Sequence, residues 1–271
     1  MVTSAGKQRL PGAASRFIDT QVASGRVAFA LSSFVRQTGL SITAARYQLL
    51  RLSNRAVRVS RRQQFFLIVE PEHRALGAPP PTWWLDDYFG WLGHPYYLAL
   101  QTAAEAYGSS PQAPQLTQVM SDVPRREIAV GRIRVRFFVK RGIEKTPTQP
   151  LANAFARIRV SAPAATVFDL VRYAERIGGI GRAVETLVPL LSRVRPSDFK
   201  RVLEAENEKA TAQRLGYLLE KTGKTELANI VYNWLPAQLA LIPLCPSQAD
   251  CVPGNVVKRW RIYNNTGDFG P

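Results

Sequence analysis

Ser41, Thr43, Arg46, Tyr47 and Arg51 stand close together in the stretch SITAARYQLLR, residues 41–51. These side chains suit a polyanion that also carries a sequence. A guanidinium forks onto the O6 and N7 of guanine, and a tyrosine can meet a phosphate or a thymine methyl. Ser41 and Thr43 fall where a helix would start, and a helix N-terminus attracts phosphate through its free N–H groups and its dipole. Arg58, Arg61 and Arg62 follow in a short basic segment that could run along a duplex backbone or in its minor groove. The chemistry these residues imply together is recognition of double-stranded DNA.

Such residues need elements to position them. Residues 13–24 have the apolar spacing of a short helix, and residues 26–29 read as a short strand. Residues 31–38 form a second helix, stopped by Gly39, which can take the left-handed conformation. Ser41 then caps a third helix. Its Ala45, Leu49 and Leu52 recur at the spacing of a buried stripe, which leaves Thr43, Arg46, Tyr47 and Arg51 outside it. Residues 56–59 and 65–69 alternate around the polar run 60–64, which predicts a hairpin. Helix, strand, helix, tight turn, helix, hairpin is the winged helix-turn-helix order. We expect this domain over residues 1–76, with residues 1–12 a loose tail. A Pro-rich linker follows over 77–82, because three consecutive prolines favour stiff extended chain.

The remainder, 83–271, reads as a larger mixed domain, so the expected class is α+β. Residues 82–107 are rich in aromatics and then helical through LALQTAAEAYG, residues 98–108. Residues 115–139 read as strands, 161–192 as helix, and 256–265 as a final strand. Asp198 is the expected cap of one long helix running to Gly223. Gly178, Gly179 and Gly181 read as a helix break rather than a phosphate loop. On the strand 132–139, Ile133, Val135 and Phe137 alternate with Arg132, Arg134 and Arg136, giving one apolar face and one arginine ladder. That ladder could meet solvent, nucleic acid or an acidic partner. Trp83, Trp84, Tyr88, Phe89, Trp91, Tyr96 and Tyr97 form a dense aromatic cluster that reads as core. The alternative is a set of platforms for stacking unpaired bases, which would make the chain an RNA-binding module.

Chemistry of other kinds leaves little trace. The sequence contains no phosphate-binding, nucleophile-elbow or zinc-protease motif. His73 and His94 lack partners at motif spacing, and Cys245 and Cys251 lack the spacing of a metal site, so both cysteines read as structural or incidental. We therefore expect no catalytic residue, cofactor or metal, with an enzyme that modifies its partner as the other alternative. No apolar run reaches membrane-spanning length and the start lacks a signal-peptide core, so the expected location is cytoplasmic. The net charge is +16, unevenly distributed. Residues 1–74 contain 12 Lys and Arg against 3 Asp and Glu, whereas the rest holds 24 against 17. The excess thus concentrates where the DNA-reading residues lie.

Beyond the hairpin, several segments resemble the AbiEi family, the antitoxins of type IV toxin–antitoxin systems. They are HPYYLALQTAAEAYGSSPQAPQLTQVMSD (94–122), RIRVRFFVKRGI (132–143), VSAPAATVFDLVRY (160–173), AQRLGYLLEKTG (212–223) and KRWRIYNN (258–265). With the N-terminal part, the likeness spans about residues 10–265. The resemblance implies a repressor-antitoxin whose N-terminal winged helix binds inverted repeats in the promoter of its own operon. Its C-terminal domain would counter a nucleotidyltransferase-like toxin. The DNA-reading residues it implies are Thr43, Arg46, Tyr47 and Arg51, with the wing at Arg58, Arg61 and Arg62. The chain would act as a monomer or weak dimer that can cooperate on DNA. Ala30 departs from the pattern, standing where such proteins often have a capping Thr or Ser. Candidate antitoxic surfaces are the arginine ladder and the exposed face of the helix over 199–221.

Overall fold

The computed structural model of the chain describes residues 12–109, 116–152, 154–248 and 256–266. It is a mixed α+β structure in two compact units. The first comprises residues 1–94, 126–135 and 154–157, and the second comprises 95–125, 136–153 and 158–271. The expected tail over 1–12 lies outside the described residues except for Gly12, and Cys251 also lies outside them.

The first unit opens with α1 (Ala13–Ala23), β1 (Ala28–Ala30), α2 (Leu31–Thr38) and α3 (Ile42–Arg51). β2 (Ala56–Arg58) and β3 (Phe65–Ile68) follow as an antiparallel hairpin. β1 pairs antiparallel with β3, so the sheet order is β1-β3-β2. The apolar spacing on each helix converges on one core, which includes Phe17, Ile18, Phe29, Phe34, Ala45, Leu49 and Phe66. Phe29 and Phe66 are register partners on β1 and β3, and their rings stack at 5.4 Å. Two polar contacts that periodicity does not show fix the helices around this core. Gln48 Oε1 on α3 accepts the N–H of Ala14, a donor that the start of α1 leaves free. Arg55 donates to Ser15 at 3.0 Å and pairs with Asp19 at 2.6 Å, tying the chain after α3 to α1.

The proline stretch is not simply extended. Ala78 and Pro79 are buried, and Pro79 O accepts from the buried indole of Trp84 at 3.1 Å. Pro81 opens a 3-10 turn, Pro81–Trp83, at a position where a missing N–H costs no hydrogen bond. Gly77 and Gly131 both have positive φ and their backbones touch, leaving no room for a Cβ on either. α4 (Leu85–Leu92) completes this part of the chain.

In the second unit β4 (Tyr96–Leu98) and α5 (Leu100–Ala106) precede β5 (Thr117–Ser121). Leu98, expected to open the helix, instead ends a strand, and the helix begins at Leu100. The chain then forms β6 (Ile128–Val130), which belongs to the first unit, and β7 (Ile133–Val139), whose later residues belong to the second. β8 (Thr148–Pro150) and β9 (Arg159–Ser161) follow. β4 runs antiparallel to β5 and parallel to β9, and β9 pairs antiparallel with β8. Against these strands packs α6 (Pro163–Arg172), whose residues 164–171 are all buried. α7 (Gly179–Leu190) starts after Gly178, which has φ 110°, so the glycine cluster is the helix break that was expected.

The long helix capped by Asp198 is corrected. It is two helices, α8 (Pro196–Glu206) and α9 (Lys209–Lys221), separated by Asn207 in the left-handed conformation. The cap position is Arg195, and Pro196 takes the first turn. α10 (Thr225–Trp234) comes next. The closing segment is also corrected, from one strand to a small sheet. β10 (Ile242–Pro243), β11 (Val256–Val257) and β12 (Ile262–Tyr263) lie in the order β10-β12-β11.

Candidate nucleic-acid interface

Gly39 ends α2 with φ 68°, and Ser41 Oγ accepts the N–H of Ala44 at 3.2 Å. Those two residues fix where α3 begins. Ala45 and Leu49 are buried, with Leu52 half-buried beside them. Their burial sets the rotation of the helix, so Thr43, Arg46, Tyr47 and Arg51 all stand exposed. Ser41 is exposed too, although its oxygen already serves as the cap. Its hydroxyl hydrogen remains the group it can offer to a phosphate.

The hairpin arginines divide in use. Arg58 Nη1 donates to Arg61 O across the turn at 3.0 Å, and its guanidinium lies 5.7 Å from the centre of the Phe66 ring. It therefore orders the hairpin as well as carrying charge. Arg61 and Arg62 project from the turn and are exposed. Among the described residues, no ion pair involves Arg46, Arg51, Arg58, Arg61 or Arg62. Five cations on α3 and the hairpin thus lack an internal counter-charge, which a bound polyanion would supply.

The arginine ladder is less of a unit than its spacing implies. Val135 and Phe137 are buried between exposed Arg134 and Arg136, as alternation requires. Arg134 turns back to donate to Gly131 O at 2.8 Å and Ile133 O at 2.9 Å. Arg132 and Arg134 belong to the first unit and Arg136 to the second, so the three are not one surface of either unit. Most of the aromatic cluster is core. Trp84, Tyr88, Phe89, Tyr96 and Tyr97 are buried and offer no face to an unpaired base. Trp83 is half-buried and stacks on Phe155, while Trp91 is exposed.

The second unit contains a constellation that sequence reasoning missed. Lys140 lies at the end of β7 and is only 1% exposed. Its Nζ donates to Asp169 Oδ1 at 2.6 Å, Glu206 Oε1 at 2.7 Å and Tyr97 OH at 3.1 Å. Tyr97 OH donates to the other Asp169 oxygen at 2.8 Å. Thr146 and Arg172 also donate to Glu206. Burial, and then the Asp169 carboxylate, push the Tyr97 hydroxyl well above its ordinary range, so it remains a donor. The cluster joins β4, β7, α6 and the end of α8, and Glu206 immediately precedes the left-handed Asn207. A lysine and two carboxylates whose side chains are at most 4% exposed form a structural clasp.

Two smaller groups carry metal-ligand or thiol atoms. Glu70, Glu72 and His73 bring ligand atoms within 4.8 Å of one another, the one group among the described residues with the reach to hold a cation. His73 is buried with Nδ1 lacking a hydrogen-bond partner, and its ring meets Trp83 edge-on. Cys245 is a free buried thiol. Its backbone N–H and C=O are both held by the amide of Asn265, which marks it as part of the local framework.

Residues 97–221 match the family model described as the AbiEi antitoxin C-terminal domain. The chain thus carries an AbiEi antitoxin domain, and the family resemblance drawn from its sequence is borne out. Among solved structures it is similar to that of the Rv2827c protein from Mycobacterium tuberculosis, with a TM-score of 0.67 at 15% identity. That likeness covers 97% of this chain and 95% of the other, and it concerns the fold. Comparison with curated proteins yields no match.

The matched segments explain themselves physically. Tyr97, Lys140 and the pair Asp169 and Arg172 come from three parts of the recognised pattern and meet in the clasp. AQRLGYLLEKTG meets KRWRIYNN where Gly216 on α9 lies flat against the ring of the fully buried Trp260. Trp260 Nε1 donates to Glu220 at 2.9 Å, and Gln213 donates to Trp260 O at 2.9 Å, so the indole has no freedom to retreat. Gly216→Ala should therefore lower stability by about 1–3 kcal/mol through overpacking, outweighing the ~1 kcal/mol gain in helix propensity. A urea midpoint equal to or above that of the wild type would refute this packing account.

Proposed function

We propose that the chain is a DNA-binding autorepressor and antitoxin of a type IV toxin–antitoxin operon. In this reading residues 1–76, within the first unit, form a winged helix-turn-helix domain, with α3 as the recognition helix and the β2–β3 hairpin as the wing. The element order and the β1-β3-β2 sheet support that assignment. The observation that carries DNA binding is the set of exposed cations without internal counter-charge on α3 and the hairpin. Arg61 and Arg62 supply phosphate affinity, and Arg46, with Thr43 and Tyr47, supplies sequence choice. Arg51, a turn further on, and Ser41, at the helix start, hold the backbone.

The family match supports the antitoxin role, which calls for a toxin partner. We assign that partner to the nucleotidyltransferase-like class, encoded beside this chain. No helix among the described residues is long and apolar enough to cross a membrane, in keeping with a cytoplasmic regulator. The chain itself acts without catalysis, by binding. Residues 1–76 serve DNA in this account, residues 83–271 serve the toxin, and residues 77–82 join them.

Co-expression with the adjacent toxin gene tests the proposal. The full chain should restore growth, and the double variant Arg46→Ala, Arg61→Ala should lose promoter repression while still restoring growth when expressed from an unrelated promoter. Failure of the wild type to restore growth would remove the antitoxin half of the proposal.

A further inference from the structure

The outward face of α3 is not uniformly polar. Ile42 is 55% exposed, Tyr47 66% and Leu50 71%. Single exposed apolar residues are ordinary, but three on one ten-residue helix form a surface, with Ile42 at its edge beside Leu49 and with Leu50 and Tyr47 turned further from the core. Ala45 and Leu49 already supply the buried stripe of this helix, so none of the three is needed for packing. Their positions define two rows at i, i+4, i+8 spacing. One is Ile42–Arg46–Leu50 and the other is Thr43–Tyr47–Arg51. In the first row an arginine stands between two aliphatic side chains.

We propose that this row reads thymine methyl groups on either side of a guanine in the major groove. The inference rests on the DNA-binding reading and names the sequence class that reading left open. The thymine C5-methyl is the apolar group that B-DNA displays in its major groove, whereas phosphates offer nothing to Leu50 or Ile42. Arg46 forks onto guanine O6 and N7. Neighbours in a row are about 5–6 Å apart, and successive base pairs about 3.4 Å. The two methyls therefore lie about two base pairs from that guanine, one on each side. The basic flank of Arg51, Arg61 and Arg62 favours a nucleic acid over an apolar protein as the occupant of this face.

The test uses the full chain and a pool of random-sequence duplexes. Selection should enrich a guanine with thymine about two base pairs away on each side. The enriched duplex is then remade with deoxyuridine in place of thymine, which removes the methyls and nothing else. Wild type should bind the uracil duplex about 10-fold more weakly, from the loss of two buried methyl contacts. Leu50→Ala, whose side chain lies outside the core, should keep its fold by circular dichroism and narrow that difference to about 3-fold, since Ile42 retains the other methyl contact. Equal binding of thymine and uracil duplexes by wild type, with sequence selection retained, overturns the inference and leaves DNA binding intact. A full thymine preference in Leu50→Ala overturns the assignment to this row. Failure to enrich any duplex overturns the DNA-binding reading and the inference with it.

Discussion

Lys140→Met should lower the stability of the chain by about 3–5 kcal/mol. The substitution keeps much of the side-chain volume and removes only the ammonium. It leaves Asp169 and Glu206 buried without the cation that both contact at under 3 Å. Arg172 reaches Glu206 at 3.3 Å and Glu208 at 3.2 Å but forms no ion pair with Asp169, so it does not neutralise both. Tyr97 continues to donate to Asp169, because burial and that carboxylate hold its hydroxyl protonated. One neutral donor does not replace an ammonium at a buried carboxylate. The expected readout is a lower urea midpoint with circular dichroism as the probe. Adding Asp169→Asn and Glu206→Gln to Lys140→Met should recover part of the loss, since the uncompensated charges go with them. A loss below about 1 kcal/mol for Lys140→Met alone would show that the clasp is not a determinant of stability.

Arg46→Ala should reduce the preference for promoter over random DNA by about 1–3 kcal/mol, the value of one bidentate guanine contact. The side chain is exposed on α3, so the fold should not change. Arg61→Ala should behave differently. It sits on the hairpin turn, and its loss should weaken binding to every duplex alike and reduce the salt slope by about one. The contrast matters more than either value. If Arg61→Ala altered sequence preference and Arg46→Ala did not, recognition helix and wing would have exchanged roles.

Short-range features of this fold were open to reading. Gly39 and Ser41 marked the turn before α3, and glycine and a capping serine act within a few residues of themselves. Ala45 and Leu49 set the buried side of α3 through spacing alone. The alternation of Ile133, Val135 and Phe137 with arginines set the faces of β7. What escaped were decisions taken by distant partners. Lys140 reads as one more cation in a basic strand end, yet its carboxylates stand 29 and 66 residues away. The break at Asn207 escaped for the same reason. Nothing in EAENEKA forbids a continuous helix, but the chain turns directly after Glu206 has entered the clasp. Gln48 and Arg55 lock α1 to α3 through single long-range hydrogen bonds, which no periodicity reports. Charge concentration pointed to the first unit. The individual use of Arg58, half of it spent on its own hairpin, is set by contacts with Arg61 and Phe66 that charge pattern does not show.

The most direct measurement is fluorescence anisotropy of the full chain on the DNA upstream of its own gene, against a shuffled duplex of equal length and composition. Both should be titrated at the same physiological salt concentration. The account predicts binding at least about 10-fold tighter to the upstream duplex. Equal affinity for the two duplexes would contradict it.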